Sequence, residues 1–409
     1  MEYKVLLAGF GMQGKAALHD LFSNSRISRI VVADNRPDLL AGLGRYPSDR
    51  VRGIRIDAAD KPAMSALMRD ADVVVEALPG TMALPIGRMA VESGVSLVSS
   101  MYYLNPGEQD PAAIRSMDEQ IRELGRRAAE KGLVILTEFG LDPGLDLILA
   151  ARAISELDSV VTFRMYGAGI PGPKDRGNPL QYKFSWSVIG VMRAYRRPAR
   201  IISSGRVVSV EPTRLFEQGA WHTLRLSEIG VPLECFPNGD GVHYARLLGI
   251  RDSVQEMGRY TCRLPGHCAF WDTLVKCGFL DDRPLESGGA SIAPMQFTAS
   301  LLGSQRQFQY GEDEEDMALI RVDAGGKRDG RPFRVIYQLL DTRDPRTGFT
   351  AMQRTVGFTM SLGAQLILNG KIPRPGLLTP LDVPYEAVIP PLERHHSIRV
   401  VRQEAPVEM

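Results

Sequence analysis

Three acidic residues follow an apolar run in the segment VILTEFGLDPGLDL, residues 134–147. Two glycines and a proline stand between Glu138, Asp142 and Asp146, so the segment combines a turn with three carboxylates. The Pro143–Gly144 pair accounts for the turn, and we interpret Asp146 as a cap of the following helix. Glu138 and Asp142 are candidates for ligand binding or for proton transfer, because a positioned carboxylate can act as a general base.

A glycine motif with the spacing GxGxxG extends from Gly9 to Gly14, between a predicted strand and a predicted helix. In a dinucleotide-binding loop, the first glycine makes a tight turn and the second lets the backbone approach the pyrophosphate. The third allows close contact between helix and strand. The phosphate then meets the N-terminus of the helix. The motif in this context predicts a dinucleotide cofactor.

Asp34 ends the next predicted strand, 20 residues after Gly14. A carboxylate at this place binds the ribose hydroxyls and repels the extra phosphate of NADP, which favours NAD. Arg36 could accept that phosphate, so NADP is the open alternative. The predicted cofactor contacts come from three segments of the chain: Gly9, Gly11, Met12, Gln13 and Gly14; Asp34, Asn35 and Arg36; and Leu78, Pro79 and Gly80.

Three predicted strands end in polar or turn-forming residues. The strand ADVVVE continues into Leu78-Pro79-Gly80, the next strand into SSMYYLNP, and a third into the acidic segment. In a doubly wound sheet, the carboxyl ends of the strands form the ligand crevice. We therefore predict that Ser100 is a catalytic residue and that Tyr102, Tyr103 and Glu138 contact the substrate.

The second half of the chain contributes two candidate cations, Lys183 in NPLQYKFSW and Arg263 in TCRLPGH. Lys183 could bind a carboxylate, or act as a base if burial lowered its pKa. Arginine matches a carboxylate with two parallel hydrogen bonds, which makes Arg263 a candidate substrate contact. Cys262, His267 and Cys268 do not have the spacing of a standard zinc site, so we predict no metal.

The first third of the chain alternates between strand-like and helix-like segments. Six apolar strand segments end near residue 137, and amphipathic helices separate them. This alternation predicts a doubly wound Rossmann domain with a parallel sheet, and the fold class is α/β. Later strand-like segments follow one another through glycine turns, which predicts a second α+β domain with a mixed or antiparallel sheet. We expect the Rossmann domain over residues 1–146, an inserted substrate domain over 147–348, and a C-terminal helix and tail over 349–409 that return to the Rossmann domain.

Composition narrows the class of protein. The chain has 409 residues, of which 44% are hydrophobic and 24% charged, as in ordinary globular enzymes of two or three domains. A net charge of +1 without a basic block gives no reason to expect nucleic acid or an anionic membrane as a partner. Four cysteines without a CxxC pair fit a reducing compartment. We expect a cytoplasmic enzyme with a small-molecule substrate and, from base rates alone, a homodimer.

Together these segments resemble the saccharopine dehydrogenase family, which includes glutamate-forming saccharopine reductases and lysine 6-dehydrogenase. The resemblance covers roughly residues 3–380 and rests on a series of segments in a fixed order: the GxGxxG start, ALPG, EFGLDPGLD, GNPLQYKFSWS, YRRPARIISSGR, RLPGH and TGFTAMQRTVGFT. GLDPG and NPLQYKFSWS are similar to saccharopine reductase. RPARIISSGR, RLPGH and TGFTAM are closer to lysine 6-dehydrogenase.

The resemblance implies that nicotinamide oxidises an amine carbon and that water opens the resulting imine. Asp142 matches the aspartate of the family's LDPG segment, and Ser100 matches the position after the fifth strand. Lys183 and Arg263 match positions that face the carboxylates of an amino acid. Since a base must first remove a proton from the amine, we assign that role to Asp142. Asp34 departs from the basic pair that binds NADP in saccharopine reductase.

Two alternatives stay open. A reductive condensing dehydrogenase of the opine or carboxynorspermidine type would run similar chemistry in the opposite direction. A non-catalytic NAD-binding sensor would keep the first domain and use the second for a partner. A polyamine substrate requires acidic residues in the pocket, whereas Lys183, Arg197 and Arg263 favour a substrate that bears carboxylates.

Overall fold

A computed structural model describes residues 2–104, 108 and 110–406. The backbone forms two compact units. The first consists of Met1–Ile148 and Gln353–Ile398, and the second of Leu149–Met352 and Arg399–Met409. The chain therefore leaves the first unit, builds most of the second, and returns.

The first unit contains a seven-stranded sheet in which every neighbouring pair is parallel. Its strands, numbered along the chain, are β1 (Tyr3–Ala8), β2 (Ile27–Asp34), β3 (Val51–Arg55), β4 (Val73–Glu76), β5 (Ser96–Ser99), β6 (Val134–Leu136) and β17 (Gly376–Leu378). The spatial order is β17-β6-β5-β4-β1-β2-β3. The order reverses between β1 and β4, which is the topological switch point where such sheets bind ligands.

Helices separate the strands of the first unit, as the alternation predicts. They are α1 (Met12–Ser23), α2 (Pro37–Ala41), α3 (Lys61–Arg69), α4 (Ala83–Ser93), α5 (Pro111–Glu130), α6 (Leu145–Ile154), α11 (Ala351–Leu368) and α12 (Tyr385–His396). From Gln353 onward, α11 packs on α1, and the Ser361 hydroxyl donates a 2.5 Å hydrogen bond to the buried Asp20 carboxylate. The central strands of the sheet are apolar because helices cover both faces; Val73, Val74 and Val75 of β4 are fully buried.

The second unit contains a nine-stranded sheet and a small hairpin. Its strands are β7 (Ser159–Pro171), β8 (Ala199–Ser203), β9 (Arg206–Val210), β10 (His222–Leu224), β11 (Leu233–Pro237), β12 (Glu256–Arg263), β13 (Leu285–Ser287), β14 (Ala290–Ile292), β15 (Asp316–Arg328), β16 (Arg331–Thr342) and β18 (Val400–Glu404). Its helices are α7 (Val188–Ala194), α8 (Gly241–Leu247), α9 (His267–Lys276) and α10 (Pro294–Ser304). The main path of the large sheet runs β10-β11-β12-β7-β15-β16-β18, with β8 and β9 beside β12.

The sheet of the second unit is mixed, because β12 pairs with β7 in parallel while the other neighbours are antiparallel. The predicted fold class, a doubly wound Rossmann domain followed by an α+β domain, is confirmed. Two features differ from the sequence prediction. The short segment Gly376–Leu378 adds a seventh strand beside β6. The tail after Ile398 pairs with β16 in the second unit, instead of returning wholly to the first, because β16 offers an open edge.

Among the helices of the described ranges, none combines the length and the apolar character that crossing a membrane requires.

Candidate active site

The glycine loop lies between β1 and α1, as its spacing predicts. Gly9 has φ +98°, and a Cβ atom there would overlap the carbonyl oxygen of Ala77, so only glycine fits this turn. A Cβ on Gly14 would likewise overlap the carbonyl oxygen of Gly9. At Gly11, by contrast, the nearest atom to an added Cβ is 3.8 Å away, on the guanidinium of Arg36. Space is therefore left above Gly11, where an approaching phosphate would need it.

The N-terminus of α1 is suited to an anion. Gly11 is its N-cap and provides no side-chain cap, and the first turn carries no acidic residue. The first N–H groups of a helix have no acceptor within the helix, and the helix dipole places partial positive charge there. Met12 is 41% exposed at this end. The loop and helix end therefore fit the pyrophosphate of a dinucleotide.

Asp34 ends β2, as predicted, but its carboxylate is already engaged by the protein. One oxygen accepts a 2.7 Å hydrogen bond from the N–H of Phe10, and the other accepts a 2.9 Å bond from the N–H of Arg36. Asp34 is 7% exposed, whereas the side chain of Arg36 is 55% exposed. The neighbouring Asn35 is exposed. Asp34 thus supports the glycine loop, and the exposed guanidinium beside it can meet a phosphate.

The end of β4 carries a residue that the sequence reasoning missed, Glu76. It is completely buried, and its carboxylate accepts hydrogen bonds from the N–H of Leu78, at 2.9 Å, and from the hydroxyl of Ser99. Burial raises the pKa of Glu76 to about 7, although both hydrogen bonds act to lower it. An acidic residue at the end of a valine run was the available signal. Beyond it, Leu78 is half-buried, and Pro79 and Gly80 are exposed.

The segment after β5 divides into a polar part and a core part. Ser99 accepts a 3.0 Å hydrogen bond from the N–H of Met101. Ser100 is 8% exposed, and its Cβ lies 3.0 Å from where a Cβ on Gly140 would be. Tyr102 is half-buried. Tyr103, predicted as a substrate contact, is 7% exposed within the hydrophobic core, and its ring lies against Gly87 of α4. It is therefore not part of the candidate site.

The acidic segment after β6 folds into a tight loop before α6. The N–H of Gly140 donates to the carbonyl of Pro143 at 3.1 Å, and Leu145 donates back to Gly140 at 3.0 Å. Asp142 is exposed at the tip, between buried Leu141 and Pro143. The predicted cap, Asp146, lies inside the first turn of α6 and accepts a 2.8 Å bond from the N–H of Gly144.

Glu138 begins this loop in a conformation that L-residues seldom adopt, with φ +58°. Its N–H donates to the carbonyl of Met101 at 3.3 Å, and the N–H of Phe139 donates to the carbonyl of Ser99 at 2.9 Å. The loop after β6 is thereby tied to the loop after β5. Ser100, Glu138 and the Asp142 loop thus belong to one edge of the parallel sheet.

Lys183, in the second unit, is buried in an ion pair. Its ammonium lies 2.6 Å from the Glu314 carboxylate and donates to the carbonyl of Gln309 at 3.2 Å. Glu314 also accepts a 2.6 Å hydrogen bond from the N–H of Gly311. Lys183 therefore fixes the turn around residue 311, and its charge is balanced within the protein.

Arg263 ends β12 and is 5% exposed. Its Nη1 donates a 2.9 Å hydrogen bond to the carbonyl of Cys262, and its guanidinium lies 4.9 Å from the centre of the Tyr182 ring. Within the described residues, its buried Nε has no hydrogen-bond acceptor. A buried guanidinium with an unsatisfied donor is costly unless an anion completes it.

His267 and Cys268 lie in an aromatic core, whereas Cys262 belongs to a second hydrophobic cluster. His267 Nε2 lies 2.8 Å from the Tyr195 hydroxyl, and burial keeps the pKa of His267 well below its usual range. In the part of the chain that the structure describes, no group of three His, Cys, Asp or Glu side chains is arranged to hold a metal ion.

Two family models match the chain. Residues 5–136 match the saccharopine dehydrogenase NADP binding domain, and residues 140–398 match the saccharopine dehydrogenase C-terminal domain. Together they cover nearly all of both units.

Curated relatives and a solved structure agree with these matches. The chain is 26% identical over 417 residues to an alpha-aminoadipic semialdehyde synthase of Arabidopsis thaliana, covering 84% of this chain and 37% of that protein's length. It is 25% identical to the glutamate-forming, NADP(+) saccharopine dehydrogenase of Saccharomyces cerevisiae, over 93% of this chain and 94% of the relative. The apo structure of saccharopine dehydrogenase (L-Glu forming) from S. cerevisiae superposes with a TM-score of 0.81 at 24% identity, covering 99% and 100% of the two chains.

Proposed function

The chain belongs to the saccharopine dehydrogenase family, and from this premise we propose that it oxidises the carbon–nitrogen bond of saccharopine or of a lysine-type amino acid with NADP or NAD. The observation that carries the proposal is the arrangement in the first unit. A glycine loop suited to a pyrophosphate lies at the switch point of the sheet, and the Asp142 loop follows β6 at the same edge.

The dinucleotide, when bound, accepts a hydride from the amine carbon of the substrate. Gly11 and the N-terminus of α1 hold its pyrophosphate, and Leu78, Pro79 and Gly80 line the following part of the crevice. Arg36 is placed to accept the extra phosphate of NADP, which agrees with the family model of the NADP binding domain. Asp34 fixes the loop that receives the cofactor.

Asp142 acts as the general base. It takes a proton from the substrate amine before hydride transfer and releases it to solvent. It then takes a proton from the water that attacks the imine carbon and passes that proton to the nitrogen of the adduct. Breakdown of that adduct releases the amine and leaves a carbonyl. The exposed position of Asp142 at a tightly bonded loop supports this role, because the carboxylate is accessible while its backbone is fixed. Ser100 and Glu138 flank the loop and orient the substrate, with Tyr102 beside them.

The substrate bears carboxylates. Support comes from Arg263, whose buried guanidinium has an Nε donor without an acceptor among the described residues. A substrate carboxylate would complete it with two parallel hydrogen bonds. Lys183 holds a turn of the same unit through Glu314, so we assign it a positioning role.

An oxidative assay tests the proposal. The purified protein is incubated at alkaline pH with NADP or NAD and with saccharopine, lysine, an opine or a polyamine, and cofactor reduction is followed by absorbance. We expect reduction with saccharopine or lysine. Reduction only with polyamines would favour the condensing alternative, and dinucleotide binding without turnover of any amine would favour the sensor.

The proposed enzyme is a cytoplasmic homodimer. Light scattering on the purified protein tests the dimer, and cell fractionation tests the location. A monomer at micromolar concentration, or recovery with membranes, would contradict these two proposals respectively.

A further inference from the structure

Glu76 occupies the centre of the sheet edge where the cofactor crevice forms. It is the last residue of β4, and in the register of the sheet it pairs with Ala8 of β1 on one side and with Ser99 of β5 on the other. The strand order reverses between β1 and β4. Glu76 therefore lies at the switch point, one residue away from Ala77, whose carbonyl oxygen faces Gly9.

The Glu76 carboxylate connects two loops of this edge. One oxygen accepts the N–H of Leu78 at 2.9 Å, and the other accepts the hydroxyl of Ser99, which itself accepts the N–H of Met101 at 3.0 Å. In the ionised form, every donor has an acceptor.

Among the described residues, no cation forms an ion pair with this carboxylate. Within the described residues, Glu76 forms these hydrogen bonds and no ion pair, and it is completely buried. Neighbouring strands bring Ala8 and Ser99 to it. Tyr103 senses this charge, because burial and the Glu76 carboxylate together raise the pKa of Tyr103 out of the physiological range. An uncompensated negative charge in a site of low dielectric acts on any cation nearby.

We propose that the Glu76 carboxylate lies beneath the nicotinamide end of the crevice and makes the protein bind the oxidised dinucleotide more tightly, relative to the reduced one, than it otherwise would. The two forms differ there by one positive charge, carried by the oxidised ring. Glu76 is thus a positioning residue that holds two loops and sets the redox preference of the site. This inference rests on the dinucleotide binding in the proposed function and is independent of the amine that is oxidised.

Coulomb interaction sets the scale of the effect. A unit charge about 10 Å from the ring, at an effective dielectric constant of about 20, changes relative affinity by roughly tenfold. Because burial raises the pKa of Glu76 to about 7, the preference for the oxidised form should be present above pH 7 and should weaken as the pH falls below it. The affinity for the reduced form should change little across the same range.

The test measures dissociation constants without any amine. Oxidised and reduced NADP and NAD are titrated into the full-length protein by calorimetry, from about pH 5.5 to about pH 8.5, which spans the titration of the carboxyl. In Glu76→Gln, we expect the ratio of the two constants to lose its pH dependence and to fall by roughly tenfold at high pH. In Ser99→Ala, which removes a donor to the carboxylate, we expect the midpoint to move to higher pH. Glu92→Gln, at an exposed position of α4 where Glu92 pairs with Lys61, is the matched control.

A ratio that is independent of pH in the wild type, or that is unchanged in Glu76→Gln, would overturn the inference. The pH dependence of the wild-type ratio tests the inference even if a variant does not fold. Turnover of an amine with an unchanged ratio would leave the proposed function standing without this inference. A ratio of dissociation constants that behaves as expected, without turnover of any amine, would leave this inference standing without the proposed function. Failure to bind either form of either dinucleotide would overturn the inference and the proposed function together.

Discussion

The backbone N–H of Phe10 donates a 2.7 Å hydrogen bond to Oδ2 of Asp34, so the residue that ends β2 also fixes the loop that follows β1. A second bond, from the N–H of Arg36, occupies the other carboxylate oxygen. Asp34 therefore has a structural reason to be acidic in addition to any contact with ribose. The presence of an aspartate here is therefore weaker evidence for NAD over NADP than the sequence suggested. The guanidinium of Arg36 is the better indicator of which cofactor binds.

Replacing Arg36 by alanine should weaken the binding of NADP selectively. We expect the dissociation constant for NADP to rise about tenfold, since a charged hydrogen bond to phosphate contributes about 1.5–3 kcal/mol. The constant for NAD should change less than about threefold, because NAD lacks the extra phosphate. Calorimetric titration of both cofactors measures this. Arg52→Ala, at an exposed position of β3, controls for the loss of one positive charge from the protein. Equal losses of affinity for NADP and NAD in Arg36→Ala would remove Arg36 from the phosphate site.

Gly11→Ala should separate folding from cofactor binding. An added Cβ has its nearest neighbour at 3.8 Å, so the melting temperature should stay within a few degrees of the wild type. The methyl group would occupy the space that the pyrophosphate needs, and we expect dinucleotide affinity to fall at least about tenfold. Gly42→Ala, where no atom lies within 4 Å of an added Cβ, should change neither property. Normal affinity in Gly11→Ala would place the pyrophosphate elsewhere.

Asp142→Ala should lower turnover by about 10²–10⁴-fold, the range expected for loss of a general base. Dinucleotide affinity should be nearly unchanged, because Asp142 lies at a loop tip after β6 and the pyrophosphate belongs at α1. Steady-state kinetics and cofactor titration on the same preparation measure both quantities. Glu138→Gln is the comparison within the same loop, and we expect it to act mainly on the KM of the amine. Near-normal turnover in Asp142→Ala would assign the base to another group.

Arg263→Met should impair substrate binding while sparing the fold. The guanidinium is buried, its Nε has no acceptor among the described residues, and an apolar side chain of similar length removes that cost. We expect a melting temperature equal to or above that of the wild type, and a KM for the amino acid raised at least about tenfold. Arg259→Met is the contrast. Arg259, also on β12, stacks 4.0 Å from the centre of the Tyr244 ring, so this substitution should lower the melting temperature. A destabilised Arg263→Met with an unchanged KM would make Arg263 structural.

Glu76→Gln should stabilise the protein at pH 8 more than at pH 5. The folded-state pKa of about 7 lies above the ordinary 4.5, so folding favours the protonated form. The stability that this form contributes is complete below pH 4.5 and is lost as the pH rises through 7. Glutamine imitates the protonated carboxyl, so the variant should gain up to about 3 kcal/mol at pH 8 and much less at pH 5. Urea unfolding at both pH values measures this; a loss of stability at pH 8 would contradict it.

The first unit was largely predictable because local patterns specify it. The apolar strands, the intervening helices and the glycine loop each follow from short segments such as YKVLLAG and GFGMQG. Strand β17 was not predictable, since three residues give no periodicity and their partner β6 is 242 positions earlier in the chain. Strand β18 was not predictable either, because its partner β16 is distant from it in the sequence.

Side-chain partners were the least predictable part of the candidate site. The types of Lys183 and Arg263 suggested similar roles, but the structure pairs the first with Glu314 and leaves an unsatisfied donor on the second. Tyr102 and Tyr103 are adjacent in the sequence, yet Tyr103 lies in the core. Glu76 ends the valine run VVVE, but its partner Ser99 becomes a neighbour of the buried carboxylate only in the folded sheet. Such outcomes depend on tertiary contacts that no single segment contains.

The position of β17 has a consequence for the order of events during biosynthesis. The edge of β6 receives its neighbour only when residues 376–378 have left the ribosome, after residues 149–352 of the second unit have been made. Until then, the nascent sheet has an open apolar edge, which is a template for pairing with other chains. We therefore expect a nascent chain that ends before residue 376 to require chaperones.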